Sequence, residues 1–195
     1  MDLFQSKNTS VINLPNALSI TRLFGTPFLF WLVTFDNLTW FIFTYLFLGF
    51  TDFLDGKLAR LWNQATDLGA HLDSAADVLF YLSTAWFLYY LFPEFVHPNL
   101  LFLYIFLGIM IISVIISLSL FRKILFFHTH LSKSAGVVVF FTMAASFYTD
   151  TTWLIGLCIF IYTLAFFEFI MIYFLRGDVS PDTRSVFNRK TTTLK

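Results

Sequence analysis

The chain is poor in cysteine: Cys158 is its single thiol and lies deep in an apolar run, so no intramolecular disulfide can form and a buried, unreactive thiol is expected. Charge is scarce as well. Only 12% of residues are Asp, Glu, Lys or Arg, and the formal net charge is zero. No global field therefore argues for nucleic acid or another highly charged partner. The first residues, MDLFQSKNTSVINLPN, lack the basic stretch, short apolar core and small-residue cleavage site of a secretory signal, so the first hydrophobic run is expected to stay in the mature protein. Internal repeats and inverted pairs of broken helices are also missing, which disfavours transporter folds built on them.

What the chain has in abundance is apolar surface. Hydrophobic residues make up 58% of it and aromatic ones 21%, with 28 Phe and a mean hydropathy of +0.76. That is far above an ordinary soluble domain and points to a bilayer, with the Phe side chains facing lipid and packing helices rather than forming a binding box. A hydrocarbon core about 30 Å thick needs roughly 20 apolar residues of helix. Runs suited to this fall near 17–35, 38–59, 69–92, 98–121, 134–149 and 152–175, the fifth being short. Between them lie FDN, KLARLWNQATD, PEFVHPN, FRKILFFHTHLSK and YTDT, whose turn and polar residues stop an apolar helix.

The cations fall on one side of this pattern. Lys7 and Arg22 precede or open the first run, Lys57 and Arg60 separate the second from the third, and Arg122, Lys123 and Lys133 separate the fourth from the fifth. Arg176, Arg184, Arg189, Lys190 and Lys195 follow the last run, whereas the opposite connections hold Asp36, Glu94 and Asp150 without Lys or Arg. The positive-inside rule then puts both termini in the cytoplasm, as an even number of spans requires. The expected fold is all-α: a polytopic membrane protein of six transmembrane helices over residues 17–176. An interfacial or flexible segment, 1–16, precedes it and a cytoplasmic tail, 177–195, follows.

The stretch DFLDGKLARLWNQATDLGAHLDSAAD places Asp52, Asp55, Asp73 and Asp77 where apolar runs meet. Asp52, Asp55, Gly56 and Ala59 share one helix face, and Gly69, Asp73 and Asp77 share another. The two helices are antiparallel neighbours, so these faces can meet at the cytoplasmic edge of the membrane. The carboxylates could simply be solvated, or paired with Lys57 and Arg60. Yet an Asp at the centre of a membrane helix costs roughly 2.5–3.5 kcal/mol, and mutual repulsion adds to that. One or two divalent ions neutralise such a group where two cations cannot, and all-oxygen ligation suits Mg²⁺ or Mn²⁺. Such ions with open positions commonly hold phosphate or diphosphate. Gly56, Ala59 and Gly69 would leave room for that ligand or merely allow close helix packing. Arg60 is either a phosphate fork or a topology anchor.

Taken together, Asp52-x2-Asp55-Gly56-x2-Ala59-Arg60-x8-Gly69-x3-Asp73-x3-Asp77 resembles, at every fixed position, the signature of the CDP-alcohol phosphotransferase family. PNALSITR, from Pro15 to Arg22, resembles that family's PNxLTxxR opening. The resemblance implies a metal-dependent, multi-pass integral membrane enzyme of the bacterial type, with its active site at the cytoplasmic face of the inner membrane and a homodimeric state. It would move a phosphatidyl group from CDP-diacylglycerol to a small alcohol and release CMP. By position, Asp52, Asp55 and Asp73 would bind metal. Asp77 would be a ligand or the general base, Gly56, Ala59 and Gly69 would make room for the cytidine diphosphate beside Asp55, and Arg60 would hold part of it. A carboxylate set among like charges is suited to take the acceptor's proton.

The acceptor is less legible. NQAT before Gly69 resembles phosphatidylglycerophosphate synthases, which usually read LDPxADK where this chain has LDSAADV; the LDS resembles the serine and inositol branches. The fourth run lacks the Arg-Glu pair expected of glycerophosphate enzymes, and HTHLSKSAG replaces a Gly-Lys-x-x-Thr motif. Lys133, Arg122 and Lys123 are candidates for an acceptor phosphate or plain anchors, and His128 and His130 are bases, ligands or solvated loop residues. Glu168 lies mid-span, where a carboxylate is protonated, paired or pocket-lining. Competing readings are a CDP-choline or CDP-ethanolamine enzyme, a divalent-cation transporter and a silent assembly protein. Carboxylates at one membrane face, with companion residues at fixed spacing, are not what ion passage requires.

Overall fold

The computed structural model describes residues 14–61, 67–121 and 130–176, and within them the side chains except at some helix positions, 55–60 among these. Among the described residues there is no strand. The helices are α1 (Leu14–Thr34), α2 (Leu38–Leu61), α3 (Asp67–Leu91), α4 (Pro93–Val96), α5 (Leu100–Phe121), α6 (His130–Ser146) and α7 (Thr152–Arg176), with a 3-10 turn at His97–Asn99. Six of these are long, and each overlaps one of the apolar runs, with ends that differ by up to four residues. Asn16–Thr34, Pro93–Ser119 and Thr152–Met171 are long and apolar enough to cross a bilayer, and Leu38–Leu54 and Ser134–Ser146 are shorter apolar stretches.

The chain divides into two compact units, Met1–Trp86 and Phe87–Lys195. In the first, α1 ends in a tight reversal: Asn37 N–H donates to Leu32 C=O at 2.9 Å and Asp36 N–H to Val33 C=O at 3.0 Å. This is the Schellman pattern, with Asp36 in the left-handed region at φ 53°. Asn37 C=O then accepts from Phe41 N–H and opens α2. The reversal makes α1 and α2 antiparallel neighbours, close enough that a Cβ on Gly25 would stand 2.6 Å from a Leu48 methyl carbon. Between α2 and α3, Tyr45 stacks on Phe80 at 5.1 Å between ring centroids, and Thr84 Oγ1 donates to Tyr45 Oη at 3.3 Å. These contacts fix the antiparallel register that brings Asp52 opposite the start of α3.

In the second unit, the PEFVHPN break is itself helical: Pro93 and Pro98 occupy first-turn positions, where no N–H is needed. Buried Asn99 donates from Nδ2 to Thr152 C=O at 2.8 Å and ties this corner to α7. Its Oδ1 lies where a Cβ on Gly156 would stand 2.9 Å away, so only glycine fits there without displacement. The start of α7 is fixed by Asp150, whose Oδ1 accepts from Thr152 N–H and Oγ1–H. Cys158 is buried and free, and its Sγ lies 3.4 Å from Thr142 Oγ1.

Candidate metal centre

The first three helices bury stripes that are apolar at one end and polar at the other. On α1 the stripe runs Asn16, Ser19, Arg22 and Thr26 before turning to Leu29 and Val33. On α2 it runs Phe41, Tyr45, Leu48 and Thr51, with Asp52 next, and on α3 Asp73, Ala76 and Asp77 precede Phe80, Thr84 and Phe87 in the same stripe. Because successive helices run in opposite directions, the polar ends coincide.

Arg22 stands at that point with a fully buried side chain. Its Nη1 donates to Asp52 Oδ1 at 2.7 Å and its Nη2 to Asp73 Oδ1 at 2.6 Å. Asp77 Oδ1 approaches Nη2 to 2.9 Å, an ion pair without hydrogen-bond geometry, so this buried oxygen receives no hydrogen bond. Tyr81, one turn beyond Asp77, donates its phenol to Asp52 Oδ2 at 3.2 Å.

The structure thus brings Asp52, Asp73 and Asp77 together, with one oxygen from each inside a sphere where all lie within 4.8 Å of one another. All three are part-buried. At an effective dielectric constant near 20, two unit charges at that separation repel by about 3.5 kcal/mol, and one guanidinium cannot offset three such charges. The donor set is all oxygen, the oxygens are close enough to share one small cation, and Asp77 Oδ1 is an acceptor without a donor. Those features fit Mg²⁺ or Mn²⁺.

Asp55, Gly56, Ala59 and Arg60 lie in the last turns of α2, with side chains outside those described. Gly69 lies in the first turn of α3, one turn before Asp73 and on the same helix face. Arg122, Lys123 and His128 lie outside the described residues, as do the side chains of His130 and Lys133. Glu168 is part-buried within α7.

Sequence reasoning missed the contributions of Arg22 and Tyr81 to this cluster. Arg22 counted as a topology cation, yet a signal was present: Asn16, Ser19, Arg22 and Thr26 continue the helical spacing of Leu29 and Val33, which is how one buried stripe reads. Tyr81 is indistinguishable by spacing from the many aromatic residues that face lipid.

Fold and site together define a protein of apolar helices with a carboxylate centre built from three of them. A profile of the CDP-alcohol phosphatidyltransferase family matches residues 12–175, and the chain belongs to that family. It is 44% identical over 80 residues to a Streptomyces coelicolor protein named cardiolipin synthase (CMP-forming), covering 38% of this chain and 37% of that one. It is 42% identical over 69 residues to the Aquifex aeolicus CDP-diacylglycerol–glycerol-3-phosphate 3-phosphatidyltransferase, covering 35% of this chain and 39% of that one. The Escherichia coli protein of the same name is 42% identical over 69 residues, covering 33% and 37%. The alignments therefore span under two fifths of the length of these curated relatives.

Proposed function

We propose that this chain is an integral membrane enzyme that transfers a phosphatidyl group from CDP-diacylglycerol to a glycerol-type alcohol and releases CMP. The observation that carries the reading is the convergence of Asp52, Asp73 and Asp77 in a chain of this family. Their companions in the motif, Asp55, Gly56, Ala59, Arg60 and Gly69, complete the proposed site: Asp55 as a further ligand, the small residues as space for the cytidine diphosphate, and Arg60 as a donor to it. The names of the relatives favour a glycerol-based acceptor over serine or inositol. Cardiolipin is phosphatidylglycerol bearing a second phosphatidyl group, so a CMP-forming route to it uses the same transfer with a lipid as the alcohol.

One or two Mg²⁺ or Mn²⁺ ions, when bound, neutralise the diphosphate and make CMP a better leaving group. Asp52, Asp55 and Asp73 would hold the ions. Asp77 takes the acceptor's hydroxyl proton as the acceptor oxygen bonds to the phosphatidyl phosphorus and the bond from that phosphorus to CMP breaks. A donor with two acyl chains can stay in the bilayer while its headgroup enters beside α1, α2 and α3. The apolar runs support six spans over residues 17–176, and the cation asymmetry of the sequence supports cytoplasmic termini and a cytoplasmic-face site. A homodimer belongs to the same reading.

The test is CMP release from labelled CDP-diacylglycerol by membranes containing the protein. Glycerol 3-phosphate, phosphatidylglycerol, serine and inositol are offered separately, with Mg²⁺, with Mn²⁺ or with EDTA. Release is expected with a divalent ion and one glycerol-type acceptor. Release that persists in EDTA, or none with any acceptor, sinks the reading.

A further inference from the structure

Arg22 is an expensive residue to place where it is. A guanidinium with no exposed side-chain surface, reached from an apolar helix, has to be compensated locally, and its partners are the proposed metal ligands themselves. Its Nη1 meets Oδ1 of Asp52, and its Nη2 meets Oδ1 of Asp73 and of Asp77. Each carboxylate offers about four lone-pair positions. Held this way, the three aspartates keep most of their acceptor capacity, and their rotation is fixed. Asp52 is fixed twice, by Arg22 at Oδ1 and by Tyr81 at Oδ2.

Resting on the function proposed above, we propose that Arg22 and Tyr81 are positioning residues for the divalent ion: the guanidinium holds the carboxylates in register across three helices, and the phenol sets the rotation of Asp52. The planar fork matters because it reaches carboxylates on two different helices at once, which a lysine's point charge does not do with fixed geometry. The opposing view is that Arg22 only fills a cation's place. The two differ in sign. A positioning group strengthens ion binding, so its removal weakens it. A competing cation weakens ion binding, so its removal tightens it, because one positive charge leaves the neighbourhood of the metal.

The test is Mn²⁺ titration of the full chain in detergent micelles, followed by electron paramagnetic resonance, which reads bound ion without substrate or turnover. Tyr81→Phe removes one oxygen, and Arg22→Lys keeps the charge but loses the fork. Each is expected to raise the Kd for Mn²⁺ about tenfold or more, the usual size for groups that orient metal ligands. Both are also expected to shrink the rise in melting temperature on adding Mn²⁺, which a merely structural role would leave intact. Unchanged or tighter binding in the folded variants overturns the proposal. If Arg22→Lys does not fold, Tyr81→Phe decides alone. Wild-type protein that takes up no Mn²⁺ instead refutes the metal reading itself, so the two failures are distinct.

Discussion

Asp77→Asn separates chemistry from folding, because in the metal-free protein its effects on stability nearly cancel. The substitution removes an attraction to Arg22 at 2.9 Å, worth about 6 kcal/mol at an effective dielectric constant near 20. It also removes the repulsions from Asp52 and Asp73, which lie within 4.8 Å and contribute about 3.5 kcal/mol each on the same scale. The relieved repulsions are of the same size as the lost attraction, and the amide has the shape of the acid it replaces. Melting in EDTA should therefore stay within roughly 3 °C of wild type, since 1 kcal/mol moves a chain of this size by about 2–4 °C. Added Mg²⁺ is expected to raise the melting temperature of wild type and to raise that of the variant less, because one oxygen of the shared group is lost, and CMP release should fall below detection. The assay pairs thermal unfolding in detergent, with and without the ion, with the CMP measurement. A variant that melts more than 10 °C early would show that Asp77 serves chiefly as a structural counter-ion for Arg22. A variant that still releases CMP would remove it from the chemistry.

Two further substitutions test the scaffold. Asp36 holds the left-handed position of the reversal after α1, so Asp36→Gly should be neutral or slightly stabilising, while Asp36→Val should lose about 1–2 kcal/mol. Equal melting temperatures for the two would contradict the turn assignment. Gly25→Ala would push a Cβ to 2.6 Å and 2.9 Å from the methyl carbons of Leu48, a side chain with almost no free space, and should destabilise by about 1–3 kcal/mol. Adding Leu48→Val should recover part of that loss, and no recovery would place the strain elsewhere.

The helices were legible because apolar runs of membrane length leave few other options for a backbone that must satisfy its own hydrogen bonds. Even so, PEFVHPN read as a break and folds as helix, because its prolines sit at first-turn positions, where they do no harm. The meeting of Asp52 with Asp73 and Asp77 was legible from period and antiparallel order alone. Arg22 was not: its sign and its place satisfied the topology rule, and its place at the end of PNALSITR carried a resemblance without a role. Charge counting assigns a cation to a side of the membrane. Only the stripe that it shares with Asn16, Ser19, Thr26 and Leu29 says that it points inward. Tyr81 carries no signal at all until Asp52 is placed opposite it.

In a bilayer, burying apolar surface against a neighbouring helix gains little over leaving it in lipid, so association has to come from close packing and interhelical polar contacts. In the first unit these two sources lie at different heights of the same helices. Midway along the pair, Leu48 packs over Gly25, and toward the α1–α2 reversal Phe41, Tyr45 and Phe80 form a stacked ladder. At the opposite ends, Arg22 joins Asp52, Asp73 and Asp77. A charged centre holding more anions than cations is a poor anchor by itself. The packed end has to hold the helices in register for the carboxylates to remain close. Damage at Gly25 should accordingly reach the carboxylate centre through the register of α1, displacing Arg22 one turn away, whereas damage at Asp77 should leave the packed end untouched.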